Sequence, residues 1–231
     1  MDLGGRFIVF DGPDGAGKGT QLARLRERIE QQGGSCVVAK DPGGTPIGDR
    51  IRQILLNYDL REMAPTCEAL LFMASRAQLV HEVVRPALEA GRTVLGDRFI
   101  SSTCAYQVAA GFPVEKVLEL GRIAVGDTWP DLTIVLDVPP EVGFQRTGRT
   151  PQRARSRSAN HTKNHGDQLD MFGDTHLDAM EARSMKFHRQ VRELFRTLPD
   201  VYPRPVVVID ATGSPDEVFA RVREAIERAF S

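Results

Sequence analysis

Residues 12 to 20, Gly12-Pro13-Asp14-Gly15-Ala16-Gly17-Lys18-Gly19-Thr20, stand between the apolar run Phe7-Ile8-Val9-Phe10 and a helical pattern at Leu22, Leu25 and Ile29. Strand, glycine-rich loop and helix in that order make a phosphate-binding loop. The glycines let the chain turn back so that several N–H groups converge on one anion, and Lys18 adds a point charge for the outer phosphates. The expected ligand is a nucleoside triphosphate, held by Gly12, Asp14, Gly15, Ala16, Gly17, Lys18, Gly19 and Thr20. Such loops serve kinases, GTPases and ATPases alike, so this one sets a fold before it sets a reaction.

Further short β-rich apolar runs fall at Cys36 to Ala39, Thr93 to Leu95, Leu132 to Val138 and Val206 to Ile209, with helical patterns between them. Continuous rather than alternating runs imply strands covered on both faces. The fold expected is α/β, a P-loop NTPase fold: a five-stranded parallel sheet flanked by helices, with a long lid insertion, in a single domain over residues 1–231. Ligands of such sheets collect at the carboxyl ends of the strands. Asp11, Asp97 and Asp137 lie at or near those ends. Ser214-Pro215-Asp216-Glu217 reads as a helix start, followed by Val218, Val222 and Ile226 at helical spacing.

Lys plus Arg number 30 against 31 Asp plus Glu, so no general polyanion-binding surface is expected and any basic site is local. No direct nucleic-acid contact is expected. No apolar run approaches the ~18 residues of a membrane span, and Met1 to Gly5 lack the pattern of an export signal, which predicts a cytoplasmic protein. The three cysteines, Cys36, Cys67 and Cys104, form no C-x-x-C pair and read as reduced thiols.

Candidates for a second, acceptor site follow. Asp41-Pro42-Gly43-Gly44-Thr45 comes just after the second strand, and Gly48-Asp49-Arg50-Ile51-Arg52 begins a helix behind it. Phe72 and Arg76 are four apart on the next helical segment, so a ring and a guanidinium share one face. Such a pair suits stacking on a base and holding a monophosphate. Asp97-Arg98 closes the third strand, where it would meet Mg²⁺ and phosphate oxygens. Ser102, Tyr106 and Gln107 supply polar groups for a base edge or sugar.

These segments together resemble the thymidylate kinase family, P-loop enzymes that phosphorylate dTMP with ATP. The likeness is carried by residues 10–18, by Asp41-Pro42-Gly43-Gly44-Thr45-Pro46-Ile47-Gly48, by Leu71-Phe72-Met73-Ala74-Ser75-Arg76, by Asp97-Arg98-Phe99 through Ser102 to Ala105-Tyr106-Gln107, and by Pro130-Asp131-Leu132 through Leu136-Asp137. It covers nearly the whole chain outside the long loop. The resemblance implies that Lys18 and the loop backbone hold ATP phosphates and that Asp14 meets the acceptor's sugar hydroxyl. It further implies that Phe72 stacks on thymine, that Arg76 and Arg98 grip the dTMP phosphate, and that Ser102 and Gln107 address the base, with Tyr106 beside them. Asp97 would organise Mg²⁺, and Asp178 with Glu181 matches the family's Asp-x-x-Glu near metal and acceptor. The family places its catalytic arginine in the phosphate loop or in the lid; position 15 here is Gly, so the lid arginines Arg146 and Arg149 are the candidates. Homodimers are implied by likeness alone.

Three departures stand out. Gly19 replaces the usual Ser or Thr after the lysine, Lys40-Asp41 replaces Arg-Glu, and Ala179 stands where many relatives carry Arg. From Thr147 to His176 apolar periodicity fails, so a lid insertion is expected over about 147–177. Within it Gln168-Leu169-Asp170-Met171-Phe172 resembles the short peptide by which bacterial replication proteins contact the sliding clamp. His161 and His165 share helical spacing but no further ligand completes a metal site nearby. Two other readings stay open on sequence: a kinase of another (deoxy)nucleoside monophosphate, and a replication-associated, nucleotide-dependent binding module.

Overall fold

The computed structural model describes residues 3–57, 63–148 and 183–231. Five strands, β1 (Phe7–Asp11), β2 (Cys36–Lys40), β3 (Thr93–Asp97), β4 (Leu132–Asp137) and β5 (Val206–Asp210), pair in the order β2-β3-β1-β4-β5. All four pairings are parallel. The helices are α1 (Lys18–Gln31), α2 (Pro46–Leu56), α3 (Pro65–Leu79), α4 (Arg85–Glu89), α5 (Ile100–Ala109), α6 (Val114–Val125), α7 (Pro140–Thr147), α8 (Met185–Val201) and α9 (Pro215–Ala229). A π-helical turn, Val80–Val84, joins α3 to α4, just ahead of Pro86, whose missing N–H interrupts an α-helical ladder.

Strand side chains alternate between two cores. Phe7, Val9, Val94 and Val135 face α3, α5, α6 and α8, while Ile8, Phe10, Leu95 and Ile134 face α1 and α9. This two-sided burial is why the strands read as unbroken apolar runs. The helix start at Ser214 is a full capping box, Ser214 and Glu217 each satisfying the other's backbone N–H, and Val218, Val222 and Ile226 are buried as their spacing implies. Burying one such side chain stabilises by about 1.5–3 kcal/mol.

The sheet delivers chemistry to one edge. Four strands end on aspartate (Asp11, Asp97, Asp137 and Asp210), and β2 ends one residue before Asp41. Parallel register brings these carboxylates to a common edge, with Phe10 opposite Asp97, Lys40 opposite Asp97 and Asp137 opposite Asp210. The helix α7 ends on Gly148 at φ 67°, a left-handed cap that suits glycine. Arg149, Asp178, Glu181, the pair His161 and His165, and the segment Gln168 to Phe172 lie outside the described residues.

Candidate active site

The four strand-terminal aspartates look alike in sequence and differ in partners. Asp11 is buried and accepts from the Ser101 and Ser102 hydroxyls, from Gly12 N–H and, at 3.4 Å, from Arg98. Asp137 is clasped by Arg192 of α8 through two parallel bonds of 2.7 and 2.9 Å. Asp210 accepts from the Thr212 N–H and hydroxyl, which hold its carboxyl below the usual range. Asp97 pairs with no side chain among the described residues, and its charge acts on Lys18.

The phosphate loop follows β1 directly. Gly12 has φ 129°, and a Cβ there would overlap the Leu136 carbonyl of β4. Gly15 has φ 74°, and its absent side chain leaves room for the Gly143 carbonyl of α7; a Cβ on Gly143 would in turn overlap the Asp14 carbonyl. The loop is therefore pressed against α7 backbone to backbone. Position 15 has no space for an arginine in this packing.

Two cations meet at one carbonyl. Lys18 Nζ donates to Gly12 O at 3.1 Å and to Pro13 O at 2.9 Å, and the Arg98 guanidinium donates to the same Gly12 O at 3.2 Å. Burial, and then the neighbouring Arg98 charge, push the Lys18 ammonium down to about 8 despite Asp14, Asp11 and Asp97. Asp14, Asp11 and Asp97 act on both cations and offset part of that repulsion.

Arg98 is fastened from several sides. It donates to Ser102 Oγ at 3.1 Å and to Asp14, and its guanidinium lies over the Tyr106 ring at 5.3 Å. Tyr106 donates its hydroxyl to Asp14 at 2.9 Å. Burial works against the Asp14 carboxylate, yet Arg98, Lys18 and the Tyr106 hydroxyl outweigh it and hold the group below its usual value. Among described non-glycine residues Arg98 alone has a positive φ, 69°. A conformation of this kind costs on the order of 1–3 kcal/mol and persists only where its surroundings over-determine it. The backbone bond from Arg98 N–H to Phe10 O at 3.0 Å and the four side-chain contacts do so here.

Three of the expected site residues make contacts within the protein. Arg76, expected to grip a phosphate, is 1% exposed and fully engaged inside the wall. Its Nε meets Asp41 at 2.6 Å, and its other nitrogens meet Phe99 O at 3.0 Å, Thr103 Oγ1 at 3.3 Å and Met73 Sδ at 3.2 Å. It straps α3 to the loops after β2 and β3. Ser102, expected to address the base, spends its hydroxyl on Asp11 at 2.6 Å and accepts from Arg98. Arg146, expected to act on the phosphoryl group, donates to Ala211 O and Thr212 O, both at 2.9 Å, in the loop between β5 and α9. All three side chains hold protein groups here.

The other candidates sit on α3, on α5 and in the loop after β2. Phe72 is half-buried on α3 with its ring outside both core clusters, as a stacking surface requires. Gln107 is buried on α5 and donates to Glu68 at 3.1 Å. The Asp41–Pro42 loop is held by Gly43 N–H to Ser75 Oγ, Gly44 N–H to Asp49 and Arg52 to Pro42 O. Glu68, Ser75 and the α8 arginines were not singled out in the sequence; their partners are distant in the chain, and helical spacing from Phe72 was the one signal for Glu68.

A family model described as thymidylate kinase matches residues 10–222. The chain belongs to the thymidylate kinase family. A protein named thymidylate kinase from Thermomicrobium roseum is 43% identical over 227 residues, covering 96% of this chain and 96% of that protein. One from Deinococcus radiodurans is 40% identical over 223 residues, covering 96% of each. A third, from Maridesulfovibrio salexigens, is 37% identical over 224 residues, covering 96% of this chain and 95% of its own. A thymidylate kinase fold with Gly15 packed on α7 leaves the transferring phosphoryl without a cation from the tip of its own loop.

Proposed function

We propose that this chain transfers the γ-phosphoryl of ATP to dTMP, giving dTDP and ADP. The observation that carries the reading is the meeting of Lys18 and Arg98 at the Gly12 carbonyl, one cation for each of two phosphate groups that must approach. Family membership and its named relatives support dTMP as acceptor over another nucleoside monophosphate. A pure binding module would not need the acceptor-side network around Arg98.

In this mechanism the loop amides and Lys18 hold the outer phosphates of ATP, and Arg98 holds the 5′-phosphate of dTMP. An oxygen of that phosphate attacks the γ-phosphorus as the bond to the β-phosphate oxygen breaks. Asp14 and Tyr106 keep Arg98 aimed, Phe72 stacks on thymine, and Gln107 reads its edge. Arg149 and Arg146, the lid candidates, supply charge over the transferring group, and Asp178 with Glu181 after the lid serves the metal and the acceptor; this assignment rests on likeness. Among the described residues no three metal-binding groups converge. Mg²⁺ keeps its waters, arrives with substrate phosphates and needs only one or two carboxylates. Asp97, which pairs with no side chain among the described residues and acts electrostatically on Lys18, is the residue suited to it. When bound, Mg²⁺ neutralises charge on the β- and γ-oxygens.

Residues 1–231 form one domain with a lid at about 147–177, in a cytoplasmic enzyme; among the described residues no helix is long and apolar enough to cross a membrane. A homodimer is supported by exposed Ile47 and Ile54 on α2, Leu70 on α3 and Ile123 on α6, helices that pack in succession. Sedimentation of the wild type against Ile123→Asp tests it. Clamp contact through Gln168 to Phe172 is tested by a pull-down in which Phe172→Ala removes binding. The function itself is tested by steady-state ADP release with dTMP, dUMP, AMP and CMP side by side. The highest kcat/KM is expected for dTMP, and a preference for AMP overturns the reading.

A further inference from the structure

Glu68, Phe72 and Arg76 recur every fourth residue on α3 and so share one face. Glu68 lies one turn before the stacking ring and is 4% exposed. One of its carboxylate oxygens accepts from Gln107 Nε2 at 3.1 Å, and the other accepts from Arg183 at 2.6 Å. Arg183, which leads into α8, also places its guanidinium 4.7 Å from the centre of the Phe187 ring. Gln107 is itself 1% exposed, so its amide has little room to reorient.

A side-chain amide has one donating end and one accepting end, and its orientation is set by its neighbours. A carboxylate can only accept. With Glu68 on one side, the NH₂ of Gln107 must face it, because the reverse orientation would set a carbonyl oxygen against a buried carboxylate. The acceptor oxygen of Gln107 is therefore the end turned away from Glu68. Arg183 neutralises the buried charge and makes this arrangement tolerable in a dry wall.

We infer that Glu68, neutralised by Arg183, is a positioning residue that sets the Gln107 amide with its oxygen toward the base, selecting pyrimidines that carry an N3–H donor. Thymine and uracil have that donor; cytosine presents a lone pair at N3 and meets the Gln107 oxygen with repulsion. The inference rests on the proposed function in that Gln107 faces the acceptor base. It adds the source of the discrimination: Glu68 never touches substrate, and it decides which end of the amide does.

The test is Glu68→Gln, which keeps size and shape but can donate as well as accept, so the Gln107 amide loses its fixed sense. Specificity constants for dTMP and dCMP are measured at saturating ATP, with the KM for ATP and the melting temperature alongside. The dTMP-to-dCMP ratio should fall on the order of 10- to 100-fold, the range of one charge-assisted hydrogen bond. The change should appear in KM for the acceptor, with the KM for ATP unmoved. An unchanged ratio in folded E68Q, or an equal loss for both acceptors, overturns the inference and marks Glu68 as packing or lid support. If E68Q lacks a cooperative melt, Glu68→Asp carries the test, since it remains acceptor-only: a retained ratio supports the inference and a collapsed ratio overturns it. A wild-type enzyme with no preference for dTMP over dCMP would instead refute the functional reading, and the two failures are told apart by that control.

Discussion

Replacing Arg76 by Met separates a wall strap from a phosphate grip. Methionine keeps most of the aliphatic stem and removes the guanidinium, whose Nε lies 2.6 Å from Asp41 in a pair whose side chains are 1% and 0% exposed. Among the described residues Asp41 Oδ1 already has no hydrogen-bond partner, so the variant would leave the whole carboxylate bare in the interior. Breaking a buried pair from one side costs about 3–5 kcal/mol. The lost bond to Phe99 O, 3.0 Å long, adds ~1 kcal/mol. Part of this is recovered because Asp41, pushed up by burial even with Arg76 beside it, takes a proton once the partner is gone. A net loss of about 3–4 kcal/mol follows, and for a chain of this size each kcal/mol lowers Tm by roughly 2–4 °C, giving a fall of about 6–16 °C.

The pH dependence has a definite sign. A carboxylate whose folded pKa is raised binds its proton more tightly folded than unfolded, so lowering pH toward its ordinary 3.8 stabilises the folded state. The Tm deficit of Arg76→Met should therefore shrink between pH 7 and pH 5, and Asp41→Asn in the same chain should relieve it. Circular dichroism melts of the unliganded protein read both effects. If Arg76→Met melts within about 2 °C of wild type while KM for dTMP rises, Arg76 is a ligand contact and the strap is wrong.

Further outcomes follow from the same geometry. Because Lys18 titrates near 8 in the free protein and bound phosphate raises it again, ATP binding above pH 8 should take up a proton. The Kd for ATP should then rise about tenfold per pH unit there, seen by calorimetry in buffers of different ionisation heat; an unchanged Kd from pH 7 to 9.5 contradicts it. The depressed ammonium also means that its contribution to the unliganded fold improves as pH rises from about 8 toward 10.5. Gly143→Ala puts a Cβ onto the Asp14 carbonyl, and a shift of the loop by about 1 Å should cost roughly 10²-fold in kcat; normal turnover would show that the loop and α7 are not pressed together. Asp97→Asn should raise the Mg²⁺ concentration needed for half-maximal rate without lowering Tm, and a Tm loss with unaltered Mg²⁺ dependence would make Asp97 structural. Ser214→Ala removes the capping box of α9 and should cost about 1 kcal/mol, a fall in Tm of roughly 2–4 °C.

What could be read in the sequence was what short stretches of chain decide for themselves. The phosphate loop, the five strands and the Ser214 cap depend on neighbours within a turn or two, and each is found where its pattern implies. The protein partners of Arg76, Ser102 and Arg146 were not legible, because they lie 35, 91 and 65 residues away. A guanidinium in a motif looks the same whether it will hold a ligand or the wall behind one. The strand-terminal aspartates make the same point: only folding gives Asp137 an arginine fork, Asp11 two serine hydroxyls and Asp97 neither. Gly15 was read as the absence of an arginine; the structure adds that the Gly143 carbonyl occupies the space.

In the proposed mechanism two phosphate groups are brought together between Lys18 and Arg98. The direct measurement is the fate of the γ-phosphoryl: the purified protein is given ATP labelled there, with Mg²⁺ and dTMP, and the products are separated. The label should appear in dTDP for the wild type and be almost lost for Lys18→Ala and Arg98→Ala. Label released only as inorganic phosphate, or dTDP formed undiminished by Lys18→Ala, would contradict the account.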